Sequence, residues 1–585
     1  MISELAGKKV RPEDCIRVAT ITEAYYNLVP RHEEKGERIS FGTSGHRGKS
    51  LERSFNELHV AAITQAICDG RNAFGATGVC FVGHDTHALS TPALETVLEV
   101  LAGNGVVAAV DEGGDFVPTP SVSRAIIRYN QIINETLKQA VAQKKVFTSG
   151  SCGGAEEIEQ EIKGVEQRGK GHNQHVATKG YADGIVITPS HNPPDQGGIK
   201  YNPINGGPAD TNVTKWIEAR ANEYIAKQGE GIKRIAKSQI DPHLRWAYDF
   251  KGQYVKELEG VINFEAIKKA NLKVLVNALG GSGANYWKAI SERYDLGLTI
   301  INSEYDPTFS FMTYDHDGAI RMDCSSAYAM ADVIAQIGSY DVAVGNDPDY
   351  DRYGIVTAEG LIPPNHFLTV AGAYLFKTRP WAGKGFGKTA VVTNLVDRYC
   401  KDQGIPVYEV PVGFKYFSSL LFDETIGIGG EESAGASFLM KDGHVWTTDK
   451  DGMVMALLAL EIFATTGKSP VAHYEELVKT YGAPVFKRFD AACSKESKEK
   501  LSALQASDVK ATMLSGEPIE SIRTTSLYKD YAIGGVRIGT ESGFLVARPS
   551  GTEDLYKIYA ESFKGETAVD ELLVEGQKIV DEAIG

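Results

Sequence analysis

Short and nearly continuous apolar runs recur along the chain, and each of them ends in a polar or glycine-rich turn. A strand that has helices on both of its faces is typically this apolar. Helical patterns such as ALETVLEVLAG accompany several of the runs. This alternation predicts an α/β fold. The clearest predicted strands are VCFVGHD at 79–85, DGIVITP at 183–189, LKVLVNA at 272–278, DVAVGND at 341–347 and KTAVVTN at 388–394.

Breaks in the alternation divide the chain into units. A chain of 585 residues suggests about four domains. The last hundred residues alternate differently, end in the helical pattern VDELLVEGQKIVDEAI, and are predicted to form a separate α+β domain. Residues 130–179 carry many charges and few aromatic side chains, which predicts a surface insertion, part helical and part flexible. The predicted domains are 1–208 (with this insertion), 209–324, 325–468 and 469–585.

Composition limits the class of partner and the compartment. The net charge of −15 argues against a general nucleic-acid binder but allows an anionic small substrate in a local basic cleft. Seven scattered cysteines without a CxxC pair indicate reduced thiols in a cytoplasmic protein. The N-terminus carries charges where a signal peptide needs an apolar run, and the longest apolar stretch, Met453 to Ala464, is too short to span a bilayer. We therefore expect neither a membrane nor a nucleic-acid partner.

The segment TPSHNPPDQGGIKYN at 188–202 places Ser190 directly after a predicted buried strand. The carboxyl ends of such strands carry the reactive groups of α/β folds. His191 could orient or deprotonate Ser190, and Lys200 could neutralise an anion. A Ser-Pro turn without function would explain the serine alone, whereas the whole constellation favours chemistry.

Three carboxylates alternate in GNDPDYDRYG at 345–354. Asp347, Asp349 and Asp351 would repel one another unless a cation compensates, and hard oxygen ligands indicate Mg²⁺ or Ca²⁺. An EF-hand is a poor match, because Arg352 stands where that loop needs glycine. Arg352 could instead hold an anionic group. A loop of solvated acids is the alternative.

Several other loops are suited to sugars or anions. The segment GIGGEESAGASF at 427–438 could bind sugar hydroxyls, and ARPSGTEDLYKIYAE at 547–561 forms a compact anion cradle. A helix start and a strand-joining turn, respectively, remain open as alternatives. FGTSGHRGKS at 41–50, PVGFK at 411–415 and TTDKDG at 447–452 are weaker candidates. The candidate residues are Glu431, Ser433, Arg548, Ser550, Gly551, Thr552, Thr43, Ser44, Arg47, Val412, Gly413, Lys415 and Lys450.

The segment AGKGFGKT at 382–389 matches a permissive P-loop pattern but has the wrong context. A P-loop follows a strand and opens a helix. Here the helical stretch FLTVAGAYLF precedes the segment and the predicted strand AVVTN follows it. We therefore predict a glycine-rich turn without a phosphate-binding role.

Taken in order, TSGHRG, TPSHNPP, DPDYDR, GGEESAG and RPSGTED resemble the loops of the α-D-phosphohexomutase superfamily, most closely those of its bacterial phosphoglucomutases. The resemblance covers nearly the whole chain except 130–179. It implies three related mixed-sheet α/β domains and a C-terminal α+β domain with an antiparallel sheet, arranged around a central cleft.

The resemblance also implies roles for the candidate residues. Ser190 would carry the phosphoryl group, and the three aspartates would bind Mg²⁺, which also contacts that phosphoserine. The loop of Glu431 and Ser433 would bind the sugar hydroxyls. The cradle at 548–552 would hold the non-reacting phosphate. Proton transfer or charge neutralisation would fall to Arg47, His191, Lys200 and Lys450.

The implied reaction interconverts α-D-glucose 1-phosphate and glucose 6-phosphate, with glucose 1,6-bisphosphate as intermediate and activator, in a monomer or homodimer. The GEESAG loop resembles the glucose enzymes more than the GExSGH loop of mannose-tolerant relatives, and a phosphomannomutase or dual-specificity enzyme is the nearest alternative. A plain sugar phosphatase would need a water route to the phosphoserine. A non-catalytic scaffold of the same fold is the remaining alternative, but it would tend to lose residues such as Ser190 and Lys200.

Overall fold

The protein is described from a computed structural model that covers residues 2–42, 45–147, 180–549 and 555–584, with only the backbone described at 136–147. Most of the predicted insertion lies outside these ranges. So do five of the candidate residues, which are Thr43, Ser44, Ser550, Gly551 and Thr552.

The first sheet is mixed and has six strands. They are β1 (His46–Lys49), β2 (Ala76–His84), β3 (Ala108–Asp111), β4 (Tyr181–Ile187), β5 (Gln196–Asn202) and β6 (Arg245–Tyr248). Their order across the sheet is β1-β5-β4-β2-β3-β6. The strands from β4 to β6 in this order are parallel, whereas β5 runs antiparallel to both β4 and β1.

The second and third sheets repeat this combination of parallel strands with an antiparallel edge. The second contains β7 (Val274–Asn277), β8 (Leu298–Ile301), β9 (Val342–Asn346), β10 (Tyr353–Thr357) and β11 (Gly360–Leu361), in the order β11-β10-β9-β7-β8. The third contains β12 (Gly385–Thr389), β13 (Val407–Val410), β14 (Ile426–Gly430) and β15 (Ala436–Phe438), in the order β13-β12-β14-β15. In each sheet the antiparallel pairs lie on one side only.

The C-terminal unit has an entirely antiparallel sheet. Its strands are β16 (Val485–Ala492), β19 (Ser521–Thr525), β20 (Ala532–Gly539), β21 (Gly543–Pro549) and β22 (Leu555–Ser562), in the order β16-β22-β21-β20-β19. A small hairpin pairs β17 (Met513–Leu514) with β18 (Glu517–Pro518). The predicted fold class, with three mixed sheets and a C-terminal antiparallel sheet, is therefore confirmed.

Sixteen α-helices accompany these sheets within the described ranges. Those of the first two sheets are α1 (Val18–Asn27), α2 (Glu57–Gly70), α3 (Ser90–Gly103), α4 (Thr119–Phe147), α5 (Thr211–Ala226), α6 (Phe250–Glu257), α7 (Phe264–Ala270), α8 (Ala284–Arg293) and α9 (Ala331–Gln336). Those of the remaining chain are α10 (Pro364–Thr378), α11 (Leu395–Gln403), α12 (Lys415–Phe422), α13 (Gly452–Thr466), α14 (Pro470–Tyr481), α15 (Lys495–Ala503) and α16 (Glu566–Ile584).

The three mixed sheets share one corner, in which a strand ends, a short loop follows, and the next strand returns antiparallel beside it. The corners join β4 to β5, β9 to β10 and β14 to β15. Their loops contain Ser190, the three aspartates and Glu431, respectively. The same local topology thus presents three of the predicted functional loops.

Helix α13 lies at the centre of the largest apolar core. Its residues are apolar on all sides, and those from Gly452 to Ile462 are buried. It packs against β9, β10 and β15 and so joins the second and third sheets. The one acid in its apolar run, Glu461, is fully buried but accepts hydrogen bonds from Arg379, Tyr374 and the Asn263 amide, each at 2.8–2.9 Å.

The prediction for residues 382–394 was wrong. The glycine-rich segment expected to be a turn forms strand β12 at Gly385–Thr389, and residues 390–394, expected to be a strand, form the turn that follows it. Strand β12 pairs with β13 and β14, and Gly385 and Gly387 therefore lie in the sheet, which excludes a P-loop at this position.

Among the described residues no single helix has the length and apolarity to cross a bilayer; α13 and α14 meet that threshold only as a pair, bent by 77°.

Candidate active site

Ser190 lies in the first corner loop with its hydroxyl turned toward the second. Strand β4 is buried along almost its whole length and delivers the chain to this loop. Ser190 is 1% exposed and has a φ of 62°, in the left-handed region that residues other than glycine rarely adopt. Its Oγ lies 2.9 Å from Asp347 Oδ2 and 3.2 Å from His191 Nδ1. The predicted serine, histidine and first aspartate are therefore in contact.

The three aspartates of the second corner point inward and are fully buried. One oxygen from each lies within 4.8 Å of the others. Burial and, to a smaller extent, repulsion from Asp349 and Asp351 raise the pKa of Asp347 well above its ordinary value. The amide of Arg352 donates to Asp347 Oδ1 at 2.9 Å, which fixes the loop without cancelling its charge.

Two lysines approach these carboxylates from different elements. Lys200, on β5, places Nζ 2.7 Å from Asp349 Oδ2 and 3.2 Å from Asp351 Oδ2. Lys450 lies 2.8 Å from Asp351 and directly precedes Asp451, whose carboxylate caps α13. Burial works against the charge of Lys200, but the two carboxylates outweigh it and raise the lysine pKa.

Arg47, a half-buried residue on β1, adds a third cation. Its charge interacts with those of Asp349 and Asp351, and although burial lowers its pKa, an arginine remains protonated at neutral pH. Register explains the approach of Arg47, because Arg47 is paired with Gly198 on β5, two residues before Lys200. The first sheet therefore presents its cations from adjacent strands.

The carboxylate cluster is suited to a divalent cation. Within the described part of the chain, Oδ1 of Asp349 and Oδ1 of Asp351 are buried without a hydrogen-bond partner. Buried carboxylate oxygens are seldom left in this state, and hard oxygen ligands are those that Mg²⁺ and Ca²⁺ prefer. Asp347, Asp349 and Asp351 could thus hold such an ion beside the Ser190 hydroxyl.

Sequence reasoning missed two residues of this site. Thr119 donates its hydroxyl to Asp349 Oδ2 at 2.9 Å, and its amide donates to the Asp349 carbonyl at 3.0 Å. Asp323 lies 3.5 Å from the Arg352 guanidinium and interacts electrostatically with His191. Thr119 could have been noticed because it precedes Pro120 at a helix start. Asp323 has no comparable sequence signal.

The third corner brings Glu431 close to the lysine side of the site. Glu431 is 6% exposed and accepts a hydrogen bond from the Gly413 amide at 3.0 Å. Burial raises the pKa of Glu431, and the charge of Lys450 opposes this shift. Lys450 therefore connects the aspartate loop with the loop of Glu431, and Ser433 lies half-buried two residues further on.

The remaining predicted residues lie around the third corner and the C-terminal sheet. Arg548 is near the end of β21, and in the described ranges its Nε is buried without a hydrogen-bond partner. Lys415 donates to Thr211 Oγ1 at 2.8 Å. Val412 packs against the apolar cluster that contains Val391 and Phe544.

Comparison with known proteins identifies the family. Three domain models of phosphoglucomutase/phosphomannomutase match, with alpha/beta/alpha domain I at residues 38–141 and 173–228, domain II at 252–360 and domain III at 363–481. A phosphoglucomutase of Komagataeibacter xylinus is 43% identical over 99% of this chain and 97% of its own length. Phosphoglucomutase 1 of Drosophila melanogaster is 25% identical over 93% of this chain and 94% of its own.

A solved structure shares the fold over most of its length. The open form of parafusin, a phosphoglucomutase from Paramecium, superposes with a TM-score of 0.68 at 19% identity and covers 95% of this chain and 96% of its own. The loops that meet at Ser190, the matched domain models and the full-length relative agree, and the chain belongs to the phosphoglucomutase/phosphomannomutase family.

Proposed function

We propose that this protein is a phosphoglucomutase that interconverts α-D-glucose 1-phosphate and glucose 6-phosphate through a phosphorylated Ser190. The observation that carries the proposal is the 2.9 Å contact between the Ser190 hydroxyl and Asp347, at the edge of a buried three-carboxylate cluster. The full-length relative named phosphoglucomutase supports the same activity.

A phosphoenzyme suits this reaction because O1 and O6 lie at opposite ends of the sugar. The phosphoryl group on Ser190 Oγ would transfer to the free hydroxyl, giving glucose 1,6-bisphosphate and a free serine. After the sugar has turned over, the serine would accept the other phosphoryl group. Two feasible transfers thus replace one difficult transfer.

Each transfer needs a base for the attacking hydroxyl and compensation for the phosphoryl charge. His191, 3.2 Å from Ser190 Oγ, is the side chain placed to exchange a proton with the serine. Lys200, Lys450 and Arg47 would offset negative charge at the reacting oxygens. Mg²⁺, held by Asp347, Asp349 and Asp351, would supply further charge neutralisation when bound.

The rest of the sugar phosphate would be recognised by the third corner and the C-terminal unit. Glu431 would accept hydrogen bonds from the sugar hydroxyls, and Ser433 would accept or donate them. Gly413 and Lys415 would lie beside these two residues. Arg548, with Ser550, Gly551 and Thr552, would bind the non-reacting phosphate. Arg352 would contribute a further cation, and Thr43, Ser44 and Val412 are proposed to line the same cleft.

Intact mass and turnover test the role of Ser190. Incubation with glucose 1,6-bisphosphate is expected to add the mass of one phosphoryl group on the peptide that contains Ser190. Ser190→Ala should abolish both this uptake and the formation of glucose 6-phosphate from glucose 1-phosphate. Ser50→Ala is a matched control, because Ser50 is equally buried and donates only to the Ile21 carbonyl.

The products also separate the alternative functions. Free phosphate would indicate a phosphatase, and neither product would indicate a non-catalytic member of the fold. Normal turnover by Ser190→Ala would exclude the phosphoserine route. A comparison of kcat/KM for glucose 1-phosphate and mannose 1-phosphate tests the proposed preference for glucose, and equal values would instead support a dual-specificity enzyme.

Asp349→Asn tests the proposed magnesium site. The amide keeps the size of the side chain but removes its charge, so we expect the Mg²⁺ concentration for half-maximal activity to rise at least about tenfold. Asp315→Asn is the control, since Asp315 belongs to a different acidic cluster. An unchanged Mg²⁺ requirement in Asp349→Asn would place the ion elsewhere.

We further propose the setting in which the enzyme works. The proposed domains end at residues 208, 324, 468 and 585. Strand β6, which lies in the second of these domains, pairs with β3 of the first sheet. We propose a cytoplasmic enzyme, monomeric or homodimeric, that binds phosphosugars and neither nucleic acid nor membrane. The net charge of −15 supports the exclusion of nucleic acid.

A further inference from the structure

Beside the Ser190 loop lies a fully buried polar network centred on Asp85. This residue directly follows β2. Its carboxylate accepts hydrogen bonds from Thr188 Oγ1 at 2.6 Å, Ser90 Oγ at 2.5 Å, and His87 through Nδ1 at 2.8 Å and the amide at 3.0 Å. Asp85, His87, Ser90 and Thr188 are all completely buried.

Two arms of this network end on the Ser190 loop. In the first arm the hydroxyl of Thr188, which donates to Asp85, accepts the amide hydrogen of Ser190 at 2.7 Å. In the second arm His87 Nε2 donates to the carbonyl of Asn192 at 3.0 Å. Thr188, two residues before Ser190, therefore bonds to Asp85 directly, and Asn192, which follows His191, is attached to the same buried carboxylate through His87.

The chemistry of the contacts defines the state of His87. Its two ring nitrogens face a carboxylate and a carbonyl, which only accept hydrogen bonds, so both nitrogens must carry a hydrogen. Burial works to lower the pKa of His87, but the Asp85 carboxylate outweighs it and raises the pKa. Asp85 and His87 thus form a buried ion pair with directional bonds to fixed backbone atoms.

We propose that Asp85, His87 and Thr188 are positioning residues that hold Ser190 in its left-handed conformation and aim its hydroxyl at Asp347. The inference rests on the proposed phosphoserine function, but none of the three residues is required to contact the sugar. A residue other than glycine at φ near 62° is strained and persists where its surroundings hold it. The Thr188 hydroxyl, bonded to the Ser190 amide, supplies that constraint.

The proposal predicts a separation of kcat from KM. A reacting atom displaced by about 1 Å can lower a rate about 100-fold, whereas the groups that bind the sugar and its distal phosphate are untouched. Thr188→Val removes the hydroxyl at nearly constant size. We expect kcat with glucose 1-phosphate to fall about 10- to 100-fold with KM little changed. The rate of phosphoryl uptake from glucose 1,6-bisphosphate, followed by intact mass in a single turnover, should fall in parallel.

Two matched variants complete the experiment. Thr188→Ser keeps the hydroxyl and should restore turnover close to that of the wild type. Thr64→Val removes an equally buried hydroxyl that bonds only within its own helix, and should leave kcat unchanged. If Thr188→Val does not fold, Thr188→Cys, which has a weaker donor and acceptor, replaces it and must show the same selective loss of kcat.

The outcomes distinguish this inference from the proposed function. Wild-type kcat in Thr188→Val, or a rise in KM without a fall in kcat, would overturn the positioning role while leaving the phosphoserine intact. A wild-type protein that takes up no phosphoryl group and forms no glucose 6-phosphate would instead refute the proposed function.

Discussion

A buried ion pair connects the end of α2 to β4, the strand that leads to Ser190. Arg71 Nε lies 2.9 Å from Asp183 Oδ2, and Arg71 Nη2 lies 2.7 Å from Asp183 Oδ1. The Gly78 carbonyl accepts a further bond from Arg71, and the Tyr201 hydroxyl donates to Asp183 at 2.9 Å. Arg71 is 6% exposed and Asp183 is fully buried.

The geometry gives the size of the effect. Removal of one partner from a pair this deeply buried leaves the other charge uncompensated and costs about 3–5 kcal/mol. We expect this loss of stability for Arg71→Met and for Asp183→Asn separately. Independent effects would sum to about 6–10 kcal/mol in the double variant. Because the double variant leaves no uncompensated charge, we expect it to lose about as much as one single variant.

Hydrogen exchange of the β2 and β4 amides, read by mass spectrometry, measures the free energy of opening this sheet. This measurement does not require the whole chain to unfold in one step. If the double variant instead lost as much stability as the two single variants added together, the reasoning would be refuted, since the two charges would then contribute independently. Single losses below about 1 kcal/mol, typical of an exposed pair, would refute the inferred burial.

A glycine on β5 and a histidine in α2 give two more predictions. A Cβ at Gly198 would lie 2.2 Å from the Thr188 carbonyl oxygen, so Gly198→Ala should cost about 1–3 kcal/mol and lower phosphoryl uptake. Gly338→Ala, where a Cβ meets nothing within 4 Å, is the control, and equal melting temperatures would contradict the prediction. Burial lowers the pKa of His59 to about 3, and its Nδ1 accepts the Asn56 amide at 3.0 Å. The folded state therefore prefers neutral His59. Its contribution to the free energy of unfolding is complete above about pH 6.5 and falls as the pH falls, by about 2 kcal/mol near pH 5. His59→Gln keeps the acceptor and should remove this part of the acid destabilisation in urea titrations; an unchanged pH dependence would contradict it.

The sequence predicted the parts of the site that lie within single loops. Ser190 and the three aspartates each follow an apolar strand, and the strand pattern alone predicts this. Because β4 and β9 belong to different sheets, the contact between the two loops was predictable only from the resemblance of the ordered motifs to a known family. The contact of Thr119 with Asp349 was not predictable, because it depends on how the helix start of the first unit packs on the second sheet.

The failure at β12 has a specific physical cause. Its glycines indicate a turn by composition, but in the fold they make room for neighbouring side chains. A Cβ at Gly385 would lie 2.3 Å from the Tyr408 ring, and one at Gly387 would lie 2.7 Å from Ile426 and 3.0 Å from Phe417. Large residues of adjacent elements fill the space above this strand, and single-sequence patterns do not record which neighbour supplies the volume.

The three corners also repeat a backbone feature that their sequences do not share. Each contains one residue other than glycine at positive φ, namely Ser190 at 62°, Tyr350 at 61° and Ala434 at 67°. Such a conformation costs about 1–2 kcal/mol for each residue. Its recurrence in three loops of different sequence indicates that the sharp reversal, from a parallel strand to an antiparallel neighbour, is made with one residue at positive φ. Each corner must then hold that strained residue in place, and in the Ser190 corner the proposed support is the Thr188 hydroxyl, which bonds to the Ser190 amide and to Asp85.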